Sequence, residues 1–322
     1  MSTVPDDLFH RPIARAEALA SGLTPRMLEG VRFRRLHHGV YCARDHLLTW
    51  EERLEAARLA LPDSARTTGA TRLRQLGFEV GAPLPLHFVV EGDLHLALDG
   101  VFLHRTVKMP PHDDEGVSAE AAYVAFCAET RTIEAIKVGC AMMHAAQLDP
   151  YLLERMLDEE KWRRGVPETA YVLPFLDDRC RSMPEAKLLA YVVAAGLPAP
   201  EVNRTVEVAP GVVLTPDQWY GPHEVAIEYE GSQHQEHRGQ YNADIDRYSL
   251  YRRHGVAYEL VRHPRTDAFP QVHGSAGARR ARGARLRRPR TGLRVRLDVP
   301  VPAALRRRTA AVSRRVTQAS GA

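Results

Sequence analysis

Lysine and cysteine are scarce in this 322-residue chain, and long apolar runs are missing. The four cysteines, Cys42, Cys127, Cys140 and Cys180, lie far apart with no C-x-x-C pair. That spacing excludes a disulfide framework and a zinc ribbon, and predicts buried, reduced thiols. No apolar stretch approaches the ~18 residues a membrane helix needs, so no membrane partner is expected. The opening residues Met1–Asp7 lack the basic and apolar segments of a signal peptide, which points to a cytoplasmic location. Hydrophobic residues make up 44% and charged residues 26%, which excludes a wholly disordered chain. The length allows two or three domains.

Charge is unevenly placed. The net +4 hides a segment, 271–322, with fourteen Arg, no Lys and Asp298 as its one acid, which is +13 by itself. The preceding 270 residues hold thirty basic against thirty-nine acidic side chains and are −9. Global basicity therefore says nothing about the folded body, and nucleic-acid binding has to be argued from local sites.

One such site is 11–44. Apolar spacing predicts a short helix over Ala14–Ala20, closed by Gly22. Thr24 before Pro25 is an N-cap with proline at the first helical position, opening a second helix to about Glu29. Arg32–Tyr41 then reads as the two arms of a hairpin. Helix, turn, helix and hairpin make a winged helix-turn-helix pattern. The stretch carries seven Arg against Glu17 and Glu29, a net +5. Arg26, Arg32, Arg34 and Arg35 are the candidate DNA contacts. Solvated arginines on a purely structural or protein-binding module are the alternative.

Thr49-Trp-Glu-Glu52 is a capping box opening a helix to about Leu61. Residues 84–107 alternate as strands (His87–Val90, Leu94–Leu98, Val101–Val107), with Gly92-Asp93 and Asp99-Gly100 as turns. Ser118 to about Arg164 is helical in three pieces, broken near Thr130 and Pro150. Glu91, Asp93, Asp99 and Asp113-Asp114-Glu115 read as turn and loop charges.

The chemistry concentrates in 182–262, an α-β-β-α-β pattern. Val225–Glu230 is an apolar strand in which Ala226, Glu228 and Glu230 share one face. Two carboxylates on one face repel each other, and burying them unpaired is expensive. A divalent cation resolves that conflict, since Mg²⁺ takes carboxylate oxygens, water and substrate phosphate. Asp217 lies eleven residues before Glu228, after a short strand (Val206–Val208 or Val212–Leu214), so antiparallel pairing would bring the two acids together across the strands. The alternative places Glu228 and Glu230 on an exposed face and Asp217 in a turn. Ser182-Met-Pro-Glu185 opens a helix, with Glu185 either the acid of a capping box or a further carboxylate near the metal. Gln233 and His234 follow in a polar loop within reach of a phosphate. His234 and His237 have H-x-x-H spacing without the other parts of a zinc motif. On a helix of about Tyr241–His254, Asp244, Arg247, Tyr251 and Arg252 lie near one face. Arg247 either binds phosphate or pairs with Asp244.

These residues carry a resemblance. Ser182–Val261 resembles the endonuclease-like domain related to very-short-patch repair endonucleases, within the PD-(D/E)XK nuclease superfamily. The matching positions are Glu185, Asp217 after Pro216, Glu228 and Glu230 in Ile-Glu-Tyr-Glu-Gly, His234, and Asp244-x-x-Arg247 before Gly255. About a quarter of the chain is covered. The first 110 or so residues are similar to the winged-helix and adjoining segments of type IV, abortive-infection antitoxins, through Ala16–Gly22, Leu28 and His38-Gly-Val-Tyr41. Three positions depart from the nuclease pattern. Glu230 stands at the superfamily's lysine, Val256 where relatives often show Trp, and the tail after Pro270 does not match the usual closing helix.

Together these readings give an α+β multidomain protein. A winged helix spans 1–80, a mixed α/β middle segment 81–177, a restriction-endonuclease-like α/β domain 178–270 and a disordered Arg-rich tail 271–322. The resemblance implies a DNA-binding protein with Mg²⁺-dependent phosphodiester hydrolysis, Mn²⁺ serving as substitute. Asp217, Glu228 and Glu230 would hold the metal, with Glu185 and His234 as further catalytic candidates and Gln233 and Arg247 as nucleic-acid contacts. The alternative is a non-catalytic regulator, or an antitoxin-like protein with a cognate toxin as partner, built on a degenerate nuclease fold.

Overall fold

Two residues of strand, β1 (Ile13–Ala14), lead directly into α1 (Arg15–Ala20), and Gly22 at φ +92° turns the chain out of that helix. The computed structural model describes residues 6–230, 247–262 and 272–274. They divide into two units, Met1–Phe126 and Cys127–Ala322. The class is α+β: several small sheets with helices packed on them.

In the first unit the Thr24 hydroxyl accepts the Met27 N–H and caps α2 (Pro25–Leu28), with Pro25 leading as the sequence predicts. A hairpin of β2 (Phe33–His37) and β3 (Val40–Ala43) follows, and β1 pairs antiparallel with β3, giving the order β1-β3-β2. Leu8, Ile13, Ala18, Leu23, Leu28, Phe33 and Tyr41 bury one another beneath this sheet. Fully burying an aliphatic or aromatic side chain of this kind contributes about 1.5–3 kcal/mol.

Thr49 and Glu52 form the expected reciprocal capping box at the start of α3 (Trp50–Ala60). After β4 (Arg66–Thr67) and α4 (Gly69–Gln75) come β5 (Leu86–Glu91) and β6 (Val101–Thr106), in the order β4-β5-β6. Here one expectation fails: Leu94–Leu98 is not a strand, and β5 and β6 pair directly and in parallel, with Leu86 opposite Val101. The nine residues between them carry the chain back along the sheet instead of reversing it. The Asp113 carboxylate accepts the Glu115 and Gly116 N–H groups and meets Arg72 at 2.6 Å, the loop role expected of it.

The helix α5 (Ala119–Cys127) runs up to the division between units, which falls inside the segment 81–177 expected as a middle domain. The second unit opens with α6 (Thr132–His144), α7 (Pro150–Glu159) and α8 (Val166–Val172), then α9 (Met183–Ala194), which packs along α6. The breaks near Thr130 and Pro150 are where the sequence puts them. All four cysteines are buried, and none of them is in a disulfide.

The sheet of this unit has the order β13-β12-β11-β10-β7, from β7 (Glu201–Val202), β10 (Gln218–Tyr220), β11 (Val225–Glu230), β12 (Ala257–Arg262) and β13 (Val272–Gly274). A separate hairpin, β8 (Val206–Ala209) and β9 (Val212–Leu214), precedes β10. Only β11 and β12 pair in parallel; a helix, α10 (247–253), precedes β12. Gly255 at φ +70° lets the Val256 N–H return to the Tyr251 carbonyl and ends α10.

The expected tail begins too early, because Val272–Gly274 adds an edge strand antiparallel to β12. Pairing with an open edge needs no periodicity of its own, so the sequence gives no sign of it. The rest of the Arg-rich tail, including the strand expected at Leu293–Val299, lies outside the described residues. Among the described residues no helix is long and apolar enough to cross a membrane.

Candidate metal centre

The second sheet places the acids. In β10 and β11 Gln218 stands opposite Ile227 and Trp219 opposite Ala226, so Asp217, one step further, stands opposite Glu228. The turn between the strands is a short 3-10 segment, Gly221–His223, with Glu224 at φ +51°. Asp217 Oδ2 accepts the Tyr229 N–H at 2.7 Å, which fixes the carboxylate against β11. Glu228 points the other way from Ile227 and Tyr229, as the period of two requires, and is 0% exposed.

That face of β11 is the inner one. Ala226 packs there with Leu214, Trp219, Tyr251 and Tyr258. The Tyr251 hydroxyl, from α10, donates to Glu228 Oε1 at 2.5 Å. Glu228 Oε2 has no hydrogen-bond partner among the described residues. Arg247, one helical turn before Tyr251, lies with its Nη2 3.6 Å from Oε2 and is the one cation paired with Glu228 among the described residues. The Arg247 guanidinium also lies 5.5 Å from the centroid of the Tyr248 ring.

Burial dominates the electrostatics. It pushes Glu228 up to about 7, the negative charge of Asp217 adds to the rise, and Arg247 and the Tyr251 hydroxyl oppose it. Burial likewise pushes Asp217 up to about 6, with the Tyr229 N–H opposing and the Glu185 charge adding. Tyr251 is driven far above its ordinary value, chiefly by burial and then by the Glu228 charge, so it stays a donor.

Glu185 is spent on structure. The Ser182 hydroxyl accepts the Glu185 N–H and donates to Glu185 Oε1 at 2.8 Å. Its Oε2 accepts the Arg181 N–H at 3.0 Å and Asn203 Nδ2 at 2.6 Å. Asn203 in turn donates its N–H to the Asp217 carbonyl at 3.0 Å. Glu185 therefore braces the start of α9 against the strand that carries Asp217, close enough to raise that acid's pKa.

Glu230 lies in β11 opposite Arg262, but its side chain is outside the described residues, as are Gln233, His234, His237 and Asp244. Of the arginines in the first unit, Arg26, Arg32 and Arg35 are exposed. Arg34 is half-buried and gives its Nη2 to the His46 carbonyl at 2.8 Å, so it is built into the hairpin. Tyr251 and Asn203 are the site residues that sequence reasoning left out of the acid cluster. The helical spacing of Tyr251 from Arg247 was the available signal.

A buried Glu228 beside a half-buried Asp217, with Glu228 Oε2 without a hydrogen bond among the described residues, fits a hard divalent ion that keeps much of its shell as water. They do not fit a closed zinc site. Among the described residues no group of three or more His, Cys, Asp or Glu side chains could hold a metal.

No known protein family profile matches the chain. It is similar to two uncharacterized proteins of Mycobacterium tuberculosis, from the CDC 1551 / Oshkosh and H37Rv strains. Each is 24% identical over 199 residues, which cover 61% of this chain and 73% of the relative.

Proposed function

We propose that the second unit is a Mg²⁺-dependent phosphodiesterase domain acting on nucleic acid, and that the first unit is a winged helix that binds DNA. The observation that carries the reading is the Asp217–Glu228 pair, a half-buried acid opposite a fully buried one, both with raised pKa values. Such a pair demands a proton or a metal, and perturbed acids of this kind cluster at functional sites.

Asp217 and Glu228 would hold the ion, with Glu230 or a water completing its shell. The chemistry such an ion supplies is neutralisation of phosphate charge and activation of a water. The Tyr229 N–H orients Asp217, and the Tyr251 hydroxyl orients Glu228. Glu185 acts as a positioning residue through Asn203. His234 is the candidate proton carrier and Gln233 a candidate phosphate contact. For the first unit, support comes from the β1-β3-β2 sheet around two short helices and from exposed Arg26, Arg32 and Arg35. A cytoplasmic location agrees with buried thiols that form no disulfide.

The test is cleavage of end-labelled DNA and RNA by the purified full chain with Mg²⁺ or Mn²⁺. Cleavage that stops with a chelator and with Asp217→Asn is the expected result. Failure to cut any substrate overturns the reading.

A second reading is a regulator, or an antitoxin-like protein with a cognate toxin as partner, in which the nuclease fold is inactive. The Arg247–Glu228 approach favours it, since it balances charge at the acids without a metal. This reading predicts promoter-selective DNA retardation that is indifferent to Asp217→Asn.

A further inference from the structure

Glu228 and Arg247 differ sharply in their access to water: the Glu228 side chain is 0% exposed and that of Arg247 34%. A carboxylate buried without compensation costs more than a domain's net stability can bear. The Arg247 guanidinium is the nearest compensating charge, and it reaches Glu228 from the wetter side. Its 3.6 Å separation is too long for a good hydrogen bond but short enough for a strong field. The contact therefore balances charge without locking the geometry. The Tyr248 ring, 5.5 Å from the guanidinium carbon, offers an aromatic face to the same group.

We propose that Arg247 is the internal counter-cation of the Asp217–Glu228 pair, leaving Glu228 when a divalent ion enters and then becoming available to the phosphodiester. The proposal rests on reading the pair as a divalent-cation centre. Charge counting gives it direction. Among the described groups that act on the pair, the carboxylates of Asp217, Glu228 and Glu185 and the guanidiniums of Arg247 and Arg181 leave a deficit of one positive charge. A doubly charged ion turns that into an excess of one, so the guanidinium is repelled. A phosphodiester, with one negative charge, restores neutrality. Arginine suits the exchange because it does not lose its proton and its fork matches phosphate oxygens. The positive charge that the strand lacks at Glu230 would thus come from the helix.

The test is Mn²⁺ binding to the full chain at pH 8, read from the free-ion paramagnetic resonance signal, for wild type, Arg247→Met and Arg247→Gln. Thermal melts establish that each variant is folded. Removing the competing charge should tighten Mn²⁺ binding at least about tenfold in both variants. In the wild type, which needs no substitution, saturating Mg²⁺ should also shift the Arg247 Nε–H resonance. Equal or weaker binding by folded variants, or an unmoved resonance at saturation, overturns the counter-cation role while leaving the metal centre standing. No binding by wild type or either variant overturns the metal reading beneath it.

Discussion

The hydroxyl of Tyr251 meets Glu228 Oε1 at 2.5 Å inside the core of the second unit, where neither side chain is exposed. It is the donor that makes an ionised Glu228 tolerable on that side, and its ring is held by stacking on Tyr258 at 5.3 Å. Tyr251→Phe keeps the ring and removes the donor to Glu228 Oε1. The fold should lose about 1–3 kcal/mol, measured by denaturant unfolding at pH 8. Glu228 should also titrate higher, so the pH profile of cleavage moves upward. An unchanged profile would mean that Glu228 does not need to be ionised.

Stability should fall as pH rises through the range in which these acids ionise. Asp217 moves from its ordinary 3.8 to about 6 in the folded protein and Glu228 from 4.5 to about 7. Between about pH 4 and 7 the folded chain therefore binds more protons than the unfolded one, and unfolding becomes easier with each added pH unit. Each shift alone corresponds to about 3 kcal/mol, and the two are coupled, so their sum is not additive. Unfolding followed with a chelator from pH 5 to pH 8 should show the decline. Asp217→Asn should flatten it, and Mg²⁺ should restore stability at pH 8. A chelated protein as stable at pH 8 as at pH 5 contradicts the burial of the pair.

The arginines of the first unit should separate by role. Arg34→Ala breaks the 2.8 Å bond to the His46 carbonyl and should lower stability by about 1–2 kcal/mol. Arg26, Arg32 and Arg35 are exposed, and their replacement by Ala should leave the melting temperature nearly unchanged. If they contact phosphate, each should weaken DNA binding and lower the salt slope by about one unit. Retardation assays across a salt series distinguish this from a structural role for all four.

What was legible in the sequence was local. Thr24-Pro25, Thr49–Glu52 and Ser182–Pro184 mark helix starts because a cap and its partners lie within one turn of chain. The approach of Asp217 to Glu228 was expected from a strand before Asp217, but β8 and β9 pair with each other, and the strand that pairs antiparallel with β11 is β10, which follows Asp217. The partners of Glu228 were not legible in the same way. Helical spacing groups Arg247 with Tyr251 but does not say which strand that face will cover. The neighbour of β6 was hidden as well. Gly92 and Gly100 both take positive φ, as turn glycines do, yet the segment between them forms no strand, so β6 pairs directly with β5. Arg34 had no sign of its inward role, since that role depends on the carbonyl of His46, twelve residues on.

The central claim is that Asp217 and Glu228 share one divalent ion, and calorimetric titration of Mn²⁺ into wild type, Asp217→Asn, Glu228→Gln and the double variant tests it most directly. A shared ion predicts one site in the wild type, its loss in either single variant, and no further loss in the double. Undiminished Mn²⁺ binding by folded Asp217→Asn would contradict it.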